Sequence, residues 1–401
     1  MRKFGPGLLV TAAFIGPGTI TTASIAGAHF GLALFWALLF SVATTMILQE
    51  MAARLGIVAR LGLAEALRTS LQNPWIKWPT LLLIMLAIGF GNGAYQTGNL
   101  LGAAIGAEII TGLPANWLAA AIALVASLLL ASGTYRLVET VLVLLVGLMS
   151  TVFVAAFLIA PPDPALVIQQ LFPPRLPDGA SLAVIALIGT TVVPYNLFLH
   201  ANAVQHKWPP GMDKAQALSE ARVDLGVAVS VGGLITLAIM ATAASALFGL
   251  GSNGPVNAAS IAGQLAPVLG DSARYFVASG LLAAGLTSAI TAPLAASFAV
   301  CGALGWPLDM HDRRFKAIWL TVMVFGAGFA AVQTQPLAAI LIAQAANGML
   351  LPVIAMALLW VMNQDAILGT YKNTTLSNSL GLLVILVTLG LGLHRLASLL
   401  P

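Results

Sequence analysis

Phe14-Ile15-Gly16-Pro17-Gly18-Thr19 interrupts the first long apolar stretch of the chain. A second apolar stretch is interrupted at Thr190-Thr191-Val192-Val193-Pro194-Tyr195-Asn196. Proline lacks a backbone donor and its ring clashes with the preceding turn, so neither helix can continue straight through its proline. In lipid, freed backbone groups are tolerated only where they face protein or a water-filled cavity. Two interrupted segments in corresponding halves of a chain therefore predict the substrate site of a transporter.

The composition indicates an integral membrane protein. The chain has 401 residues, of which 59% are hydrophobic and only 7% are charged. A soluble domain carries about 25% charged residues. The formal net charge is +4, but the sequence contains no run of basic residues, which argues against a nucleic-acid partner. A single cysteine, Cys301, excludes an internal disulfide.

A membrane-spanning helix needs about 20 apolar residues. Eleven stretches of the chain satisfy this requirement, and we predict one all-α membrane domain over residues 1–401. The predicted spans are 5–28, 31–54, 78–109, 114–132, 138–160, 182–206, 225–250, 274–304, 316–334, 336–362 and 377–398.

The distribution of Lys and Arg predicts the orientation, because cytoplasmic loops collect these residues. With the N-terminus inside, the basic residues that fall outside are only Arg175, Arg274 and Arg395, out of 17. We therefore expect a multi-pass protein of the cytoplasmic (plasma) membrane with its N-terminus in the cytoplasm and its C-terminus outside. The lipid bilayer and a small solute or ion are its predicted partners. The sequence does not determine the oligomeric state, and a monomer is compatible with it.

Five helices place the sixth in the opposite orientation. Residues 5–160 and 182–362 are therefore predicted to form two inverted five-helix repeats, with 377–398 as an additional eleventh helix. Pro17 and Pro194 then occupy equivalent places, in broken helices 1 and 6. This is the arrangement of the leucine-transporter-like fold, which works by alternating access.

Several further segments resemble one transporter family. Gly16-Pro17-Gly18-Thr19 occupies the place of an Asp-Pro-Gly-Asn motif, and Val193-Pro194-Tyr195 that of a Met-Pro-His motif. The segment 49–57 is similar to the end of that family's second helix, and 288–291 to part of its eighth. The chain thus resembles the Nramp family (natural resistance-associated macrophage protein) of divalent-metal transporters over nearly its whole length.

The resemblance implies a metal site whose usual ligands are replaced. Gly16 stands in place of the family's aspartate, Thr19 in place of its asparagine, and Val193 in place of its methionine. The family's carbonyl donor would fall near Thr190, and Tyr195 replaces a histidine. None of the family's side-chain metal ligands is retained, so the chain is identified as a divergent member.

The resemblance also implies that the family's proton route is closed. Gln96 and Asn99 replace an aspartate and a glutamate of the third helix, and neither amide titrates. We therefore expect no H⁺ coupling by that route and no cofactor. Both amides could bridge helices as readily as bind substrate, and the same alternative holds for Gln344 and Asn347 on the tenth helix.

Helix breaks expose N–H groups at one end and carbonyls at the other, with opposite partial charges. Such ends suit a zwitterion, and the surrounding side chains add neutral hydrogen-bonding groups. The candidate substrate-binding residues are Gly16, Gly18, Thr19, Thr22, Thr190, Val193, Tyr195, Asn196, Gln96, Asn99, Gln344 and Asn347.

Our main hypothesis is secondary active transport of a small neutral or zwitterionic solute. The alternative is a divalent-cation transporter with a relaxed site, for hydrated Mg²⁺ or Mn²⁺, because Mg²⁺ dehydrates reluctantly and can be bound through its waters. A sensor that kept only the scaffold is a third interpretation. The sequence contains no nucleophile–base pair and no phosphate loop, so we do not expect an enzyme.

A coupling Na⁺ ion is a further hypothesis. Transporters of this fold often hold Na⁺ between helix-1 carbonyls and hydroxyls of helix 8. Thr287 and Ser288 would occupy that place here, facing carbonyls of residues 12–15. The competing interpretation is that these hydroxyls bond back to their own helix, as Ser and Thr commonly do.

Overall fold

The structure is a computed structural model, and it describes residues 5–7, 10–11, 15–132, 147, 151, 154–155, 157–159, 161, 164–171, 174–248, 258–263, 270–333 and 335–397. These residues are helical or form turns and loops, and none of them lies in a strand. The α-helices with defined bounds are α1 (Pro17–Phe30), α2 (Phe35–Val58), α3 (Leu63–Ser70), α4 (Pro74–Thr111), α5 (Ala115–Ala131), α6 (Pro164–Leu171), α7 (Ser181–Thr191), α8 (Tyr195–Lys207), α9 (Lys214–Leu247), α10 (Ala258–Gly263), α11 (Ala273–Leu304), α12 (Arg313–Val332), α13 (Pro336–Val361), α14 (Asp365–Leu368) and α15 (Thr375–Ala397). Two 3₁₀ turns cover Gly270–Ser272 and Gly369–Tyr371.

Within the described ranges, eight helical segments are long and apolar enough to cross a membrane. Their outer faces expose large apolar side chains, including Phe90, Leu128 and Val324. A soluble protein would bury such side chains, whereas lipid tails solvate them at no cost. The exposed apolar surface is therefore the lipid-facing surface.

Both predicted helix breaks are present. Residues 6–7 and 10–11 are helical, Gly16 is extended (φ −118°, ψ −176°), and α1 restarts with Pro17 in its first turn. In the second half, α7 ends at Thr191, Val192 leaves the helical region (φ −98°, ψ 64°), and α8 begins after Pro194. Each break lies at its proline because the ring removes the N–H that would continue the ladder.

Most predicted bounds agree with the structure to about one turn, but the predicted start at residue 225 is wrong. Helix α9 begins at Lys214, capped by Asp213, whose carboxylate accepts a hydrogen bond from the backbone N–H of Gln216 at 2.8 Å. The first turns of α9 carry Arg222 and Asp224, so hydropathy alone places the boundary too late. The predicted fifth span, 138–160, lies largely outside the described residues.

The predicted end of the second span at residue 54 is also early, because α2 continues to Val58. Arg54 therefore lies inside the helix, nearly buried. Its guanidinium donates to Oδ1 of Asn373 at 2.7 Å and to the carbonyl of Tyr371 at 2.9 Å, and it pairs with Glu50 at 3.1 Å. Burial of this charge is tolerated because the charge is paired and hydrogen-bonded.

The two broken helices lie at the centre of the helix bundle. Helix α1 packs against α9 and α7, while α8 packs against α2 and α11. Helix α4 runs along α11, and α13 crosses α7 and α4. Side chains from α4, α11 and α13 therefore surround the two breaks and can complete a site there.

Candidate substrate site

The two breaks meet through a pair of hydroxyl groups. Oγ1 of Thr19, in the first turn of α1, lies 2.9 Å from Oγ1 of Thr190, near the end of α7. Both side chains are fully buried. The positive N-terminal end of α1 and the negative C-terminal end of α7 thus lie next to each other at this hydroxyl pair.

Helix α13 places an amide against the first break. A Cβ atom on Gly18 would collide with Nε2 of Gln344, so the carboxamide lies directly on the backbone of α1. Gln344 is fully buried, and neither Nε2 nor Oε1 has a hydrogen-bond partner among the described residues. A Cβ on Gly91 of α4 would lie 3.4 Å from Oδ1 of Asn347, whose Nδ2 is likewise unpartnered there. Both residues thus offer buried polar groups that no described residue satisfies.

Helix α11 supplies a hydroxyl at Gly16. A Cβ on Gly16 would lie 2.5 Å from Oγ of Ser288 and 3.7 Å from the Tyr95 hydroxyl. Oγ of Ser288 is buried and has no partner within the described ranges. Thr287 instead donates to the carbonyl of Ala283, 2.8 Å away on its own helix. Of the predicted Na⁺-binding pair, Ser288 faces the break and Thr287 is occupied by its helix.

An aromatic pair lies at the second break. The rings of Tyr195 and Tyr95 pack edge to face, with centroids 5.3 Å apart, and both side chains are fully buried. Asn196 donates from Nδ2 to the carbonyl of Val10 at 3.4 Å, while its Oδ1 has no partner among the described residues. The buried Val193 contributes its carbonyl to the first turn of α8, accepting from Asn196 N at 3.0 Å.

The side chain of Gln96 bridges neighbouring helices by hydrogen bonds instead of pointing an unpaired amide at a helix break. Its Nε2 donates to the carbonyl of Ala289 on α11 at 3.1 Å and lies 3.1 Å from Sδ of Met323 on α12. Pro293 follows Ala289 by one turn and lacks the N–H that this carbonyl would otherwise accept. Gln96 therefore satisfies a carbonyl that a proline leaves unpaired, which is the helix-bridging alternative.

Asn99 and Thr22 complete the predicted set. Asn99 donates from Nδ2 to Oε1 of Gln96 at 3.4 Å, and its Oδ1 has no partner within the described part of the chain. Thr22 follows Thr19 by three residues on α1, and its buried Oγ1 is unpartnered among the described residues. All twelve predicted substrate-binding residues are buried. The protein therefore encloses all twelve residues in this conformation.

Sequence analysis missed three residues of this region. Tyr95 packs on Tyr195, Asn92 donates to the carbonyl of Ala292 on α11 at 3.1 Å, and Met323 contacts Gln96. The spacing of Asn92, Gln96 and Asn99 places them on one face of a helix, a signal available in the sequence. Nothing in the spacing distinguishes Met323 from an ordinary apolar residue.

The region carries no buried carboxylate. Among the described residues, every Asp and Glu is at least partly exposed, and no three His, Cys, Asp or Glu side chains form a group that could hold a metal ion. His200, one turn after Asn196 on α8, is buried, and its Nδ1 lies 3.0 Å from Oε1 of Gln49. The polar groups at the breaks are thus amides, hydroxyls and phenols.

Comparison with known proteins assigns the family. Residues 7–398 match the family model described as natural resistance-associated macrophage protein-like. The chain belongs to the Nramp family. It is 28% identical to the divalent metal cation transporter MntH of Yersinia pestis (strain Pestoides F) over 408 residues, covering 100% of this chain and 96% of that protein.

Solved structures show the fold. A manganese transporter of Eremococcus coleocola superposes with a TM-score of 0.80 at 23% identity, over 98% of this chain and 86% of that chain. MhsT, crystallised with L-phenylalanine, gives a TM-score of 0.65 at 15% identity, over 99% of this chain and 98% of that one.

These matches confirm the predicted family and the all-α leucine-transporter-like fold, with helices 1 and 6 broken. This Nramp protein is a multi-pass membrane transporter. Its relatives are transporters, which agrees with the prediction that it is not an enzyme. The division at 5–160, 182–362 and 377–398 and the roles of individual site residues stay predictions.

Proposed function

We propose that this protein is a secondary active transporter that works by alternating access and carries a small neutral or zwitterionic solute. The observation that carries the proposal is a set of buried polar atoms at the breaks without partners among the described residues. These atoms are Nε2 and Oε1 of Gln344, Nδ2 of Asn347, Oδ1 of Asn99, Oδ1 of Asn196, Oγ of Ser288 and Oγ1 of Thr22.

An unsatisfied buried polar group costs about 1–3 kcal/mol. Several such groups on the helices that surround the two breaks are what a site would offer to a ligand that supplies the missing hydrogen bonds. The free set contains donors and acceptors, and it includes no carboxylate. A solute that carries both kinds of group and little net charge fits this set. The opposite dipoles of α1 and α7 suit the two poles of a zwitterion.

The transition-metal site of the family is, in this proposal, lost. Gly16, Thr19 and Val193 offer neither a carboxylate nor a thioether, the groups by which a soft divalent metal would be held. Oγ of Ser288 lies where a side chain on Gly16 would begin. The fold itself does not favour one substrate, because it is shared by a manganese transporter and by a protein crystallised with an amino acid.

A hydrated divalent cation is the second candidate. The curated relatives are divalent metal cation transporters, and the free set includes oxygen atoms of Asn99, Asn196, Gln344 and Ser288. Neutral oxygens can bind the waters of Mg²⁺, which dehydrates reluctantly. In this alternative the site recognises the hydration shell of Mg²⁺ or Mn²⁺.

Coupling and topology complete the proposal. Na⁺ would bind at Ser288, whose hydroxyl has no partner among the described residues, rather than at Thr287, which bonds to its own helix. Gln96 and Asn99 cannot carry protons by titration, so coupling by the family's proton route is not part of the proposal.

The N-terminus would lie in the cytoplasm and the C-terminus outside the plasma membrane, in keeping with the Lys and Arg distribution.

The test is uptake into proteoliposomes. Mn²⁺ and Mg²⁺ are supplied in separate assays, with the Eremococcus coleocola manganese transporter as the active control. A panel of amino acids and small zwitterions follows, with and without Na⁺. Saturable solute uptake that disappears in Gln344→Leu, without metal uptake, supports the proposal. Saturable Mn²⁺ or Mg²⁺ uptake with no solute uptake would refute it in favour of the second candidate.

A further inference from the structure

One carboxylate fastens the chain before the first break to α9. We define the inner segment as the described residues 5–7 and 10–11, of which 6–7 and 10–11 are helical. The backbone N–H of Gly7 donates to Oδ2 of Asp224 at 2.8 Å. Pro6 has no N–H, so Gly7 supplies the first backbone donor of this helical segment after it. Asp224 therefore caps the inner segment from a different helix.

The fit between the two is too close for larger side chains. A Cβ on Gly5 would collide with the carboxylate of Asp224, and a Cβ on Gly7 would lie 2.7 Å from its backbone oxygen. The carboxylate thus lies directly on the first turn of the inner segment.

The neighbouring charges leave Asp224 available for this contact. Arg222, two residues earlier, pairs with Glu50 of α2 at 2.9 Å. Asp224 forms no ion pair with any described residue. The inner segment also accepts a hydrogen bond from Asn196 of α8, whose Nδ2 lies 3.4 Å from the carbonyl of Val10, and this bond is longer and uncharged.

We infer that Asp224 is a latch that keeps the substrate site closed on the side of the membrane that bears the N-terminus. The inner segment precedes the break at Gly16 in the first predicted span, 5–28. Alternating access needs one part of the bundle to move against the rest around the site. Movement of the inner segment away from α9 breaks the bond between Gly7 and Asp224, whatever the substrate is.

The test measures access to the site with a thiol reagent. Cys301 is the only cysteine, so Cys301→Ala gives a background for a reporter, Val193→Cys, at the second break. A membrane-impermeant maleimide is applied separately to each side of reconstituted vesicles, and an N-terminal tag identifies the sides. A charge-assisted hydrogen bond is worth enough that its loss in Asp224→Ala should raise labelling from the tagged side about tenfold. Labelling from the opposite side should fall.

Two further variants separate the latch from general damage. Gly7→Ala keeps the acid but forces the inner segment off α9, and we expect the same change in labelling. Glu220→Ala removes an acid of the same helix that contacts Trp208 and Gln216, and it should leave labelling unchanged. The inference is overturned if folded Asp224→Ala and Gly7→Ala label like the parent, or if Glu220→Ala labels equally fast. Neither outcome depends on which solute is carried.

Discussion

Replacement of Gln344 by leucine should make this Nramp protein more stable and less active. The carboxamide is fully buried, and neither of its polar atoms has a partner among the described residues. An unsatisfied buried group costs about 1–3 kcal/mol, and an apolar side chain of similar size removes that cost. We therefore expect Gln344→Leu to raise the free energy of unfolding by about 2 kcal/mol.

The same substitution at Gln96 should have the opposite effect on stability. Gln96→Leu would leave the carbonyl of Ala289 without a donor, because Pro293 cannot supply one. It would also remove the acceptor of Asn99 Nδ2. We expect the free energy of unfolding to fall by about 2 kcal/mol. Hydrogen bonds between membrane helices average about 0.6 kcal/mol, and the carbonyl left unsatisfied beside Pro293 adds its own cost to that loss.

The assay combines unfolding in mixed detergent micelles with solute uptake, and Gln205→Leu is the matched control. Gln205 donates to the carbonyl of Ala201 on its own helix, so its loss should change stability little. Gln344→Leu should lower kcat/KM for uptake more than tenfold, the equivalent of about 1.4 kcal/mol. The reasoning fails if Gln344→Leu and Gln96→Leu destabilise the protein equally, or if Gln344→Leu transports normally.

Three further predictions concern neighbouring positions. Gly16→Asp should not restore Mn²⁺ uptake alone, because its Cβ would lie 2.5 Å from Oγ of Ser288, whereas Gly16→Asp with Ser288→Gly should give measurable Mn²⁺ binding by calorimetry. Replacement of Na⁺ by choline should reduce solute uptake in the parent and have no effect in Ser288→Ala; equal uptake of the parent in both salts would remove Na⁺ from the mechanism. Gly56→Ala should lower the unfolding midpoint, because its Cβ would collide with the carbonyl of Ala201, while Gly226→Ala, with nothing within 4 Å, should leave the midpoint unchanged.

The breaks could be predicted because a proline acts on its own backbone. Pro17 and Pro194 each remove a donor from their own helix, and no distant residue is needed to decide the outcome. The start of α9 could not be predicted from hydropathy, since its first turns are charged and lie beyond the apolar window. Its signal was the capping residue Asp213, which a search for apolar runs does not use.

The roles of the amides could not be separated from the sequence. Gln96 and Gln344 are both polar residues on apolar helices, and both are fully buried. Their difference depends on which partner helix each faces and on whether that helix has an unpaired carbonyl. Pro293 creates such a carbonyl for Gln96, about 200 residues away along the chain, and that pairing exists only after folding.

The bond between Thr19 and Thr190 bears on how tightly the site can hold its cargo. The two hydroxyls bond each other at 2.9 Å, so a solute that separated them and bonded to both would gain one hydrogen bond net instead of two. The net gain on binding is smaller than the number of contacts in the loaded state would suggest. A small net binding free energy suits a transporter, because a solute that binds weakly also dissociates quickly. If the proposed solute binds between these two hydroxyls, we expect modest affinity and rapid release at the junction of the two broken helices.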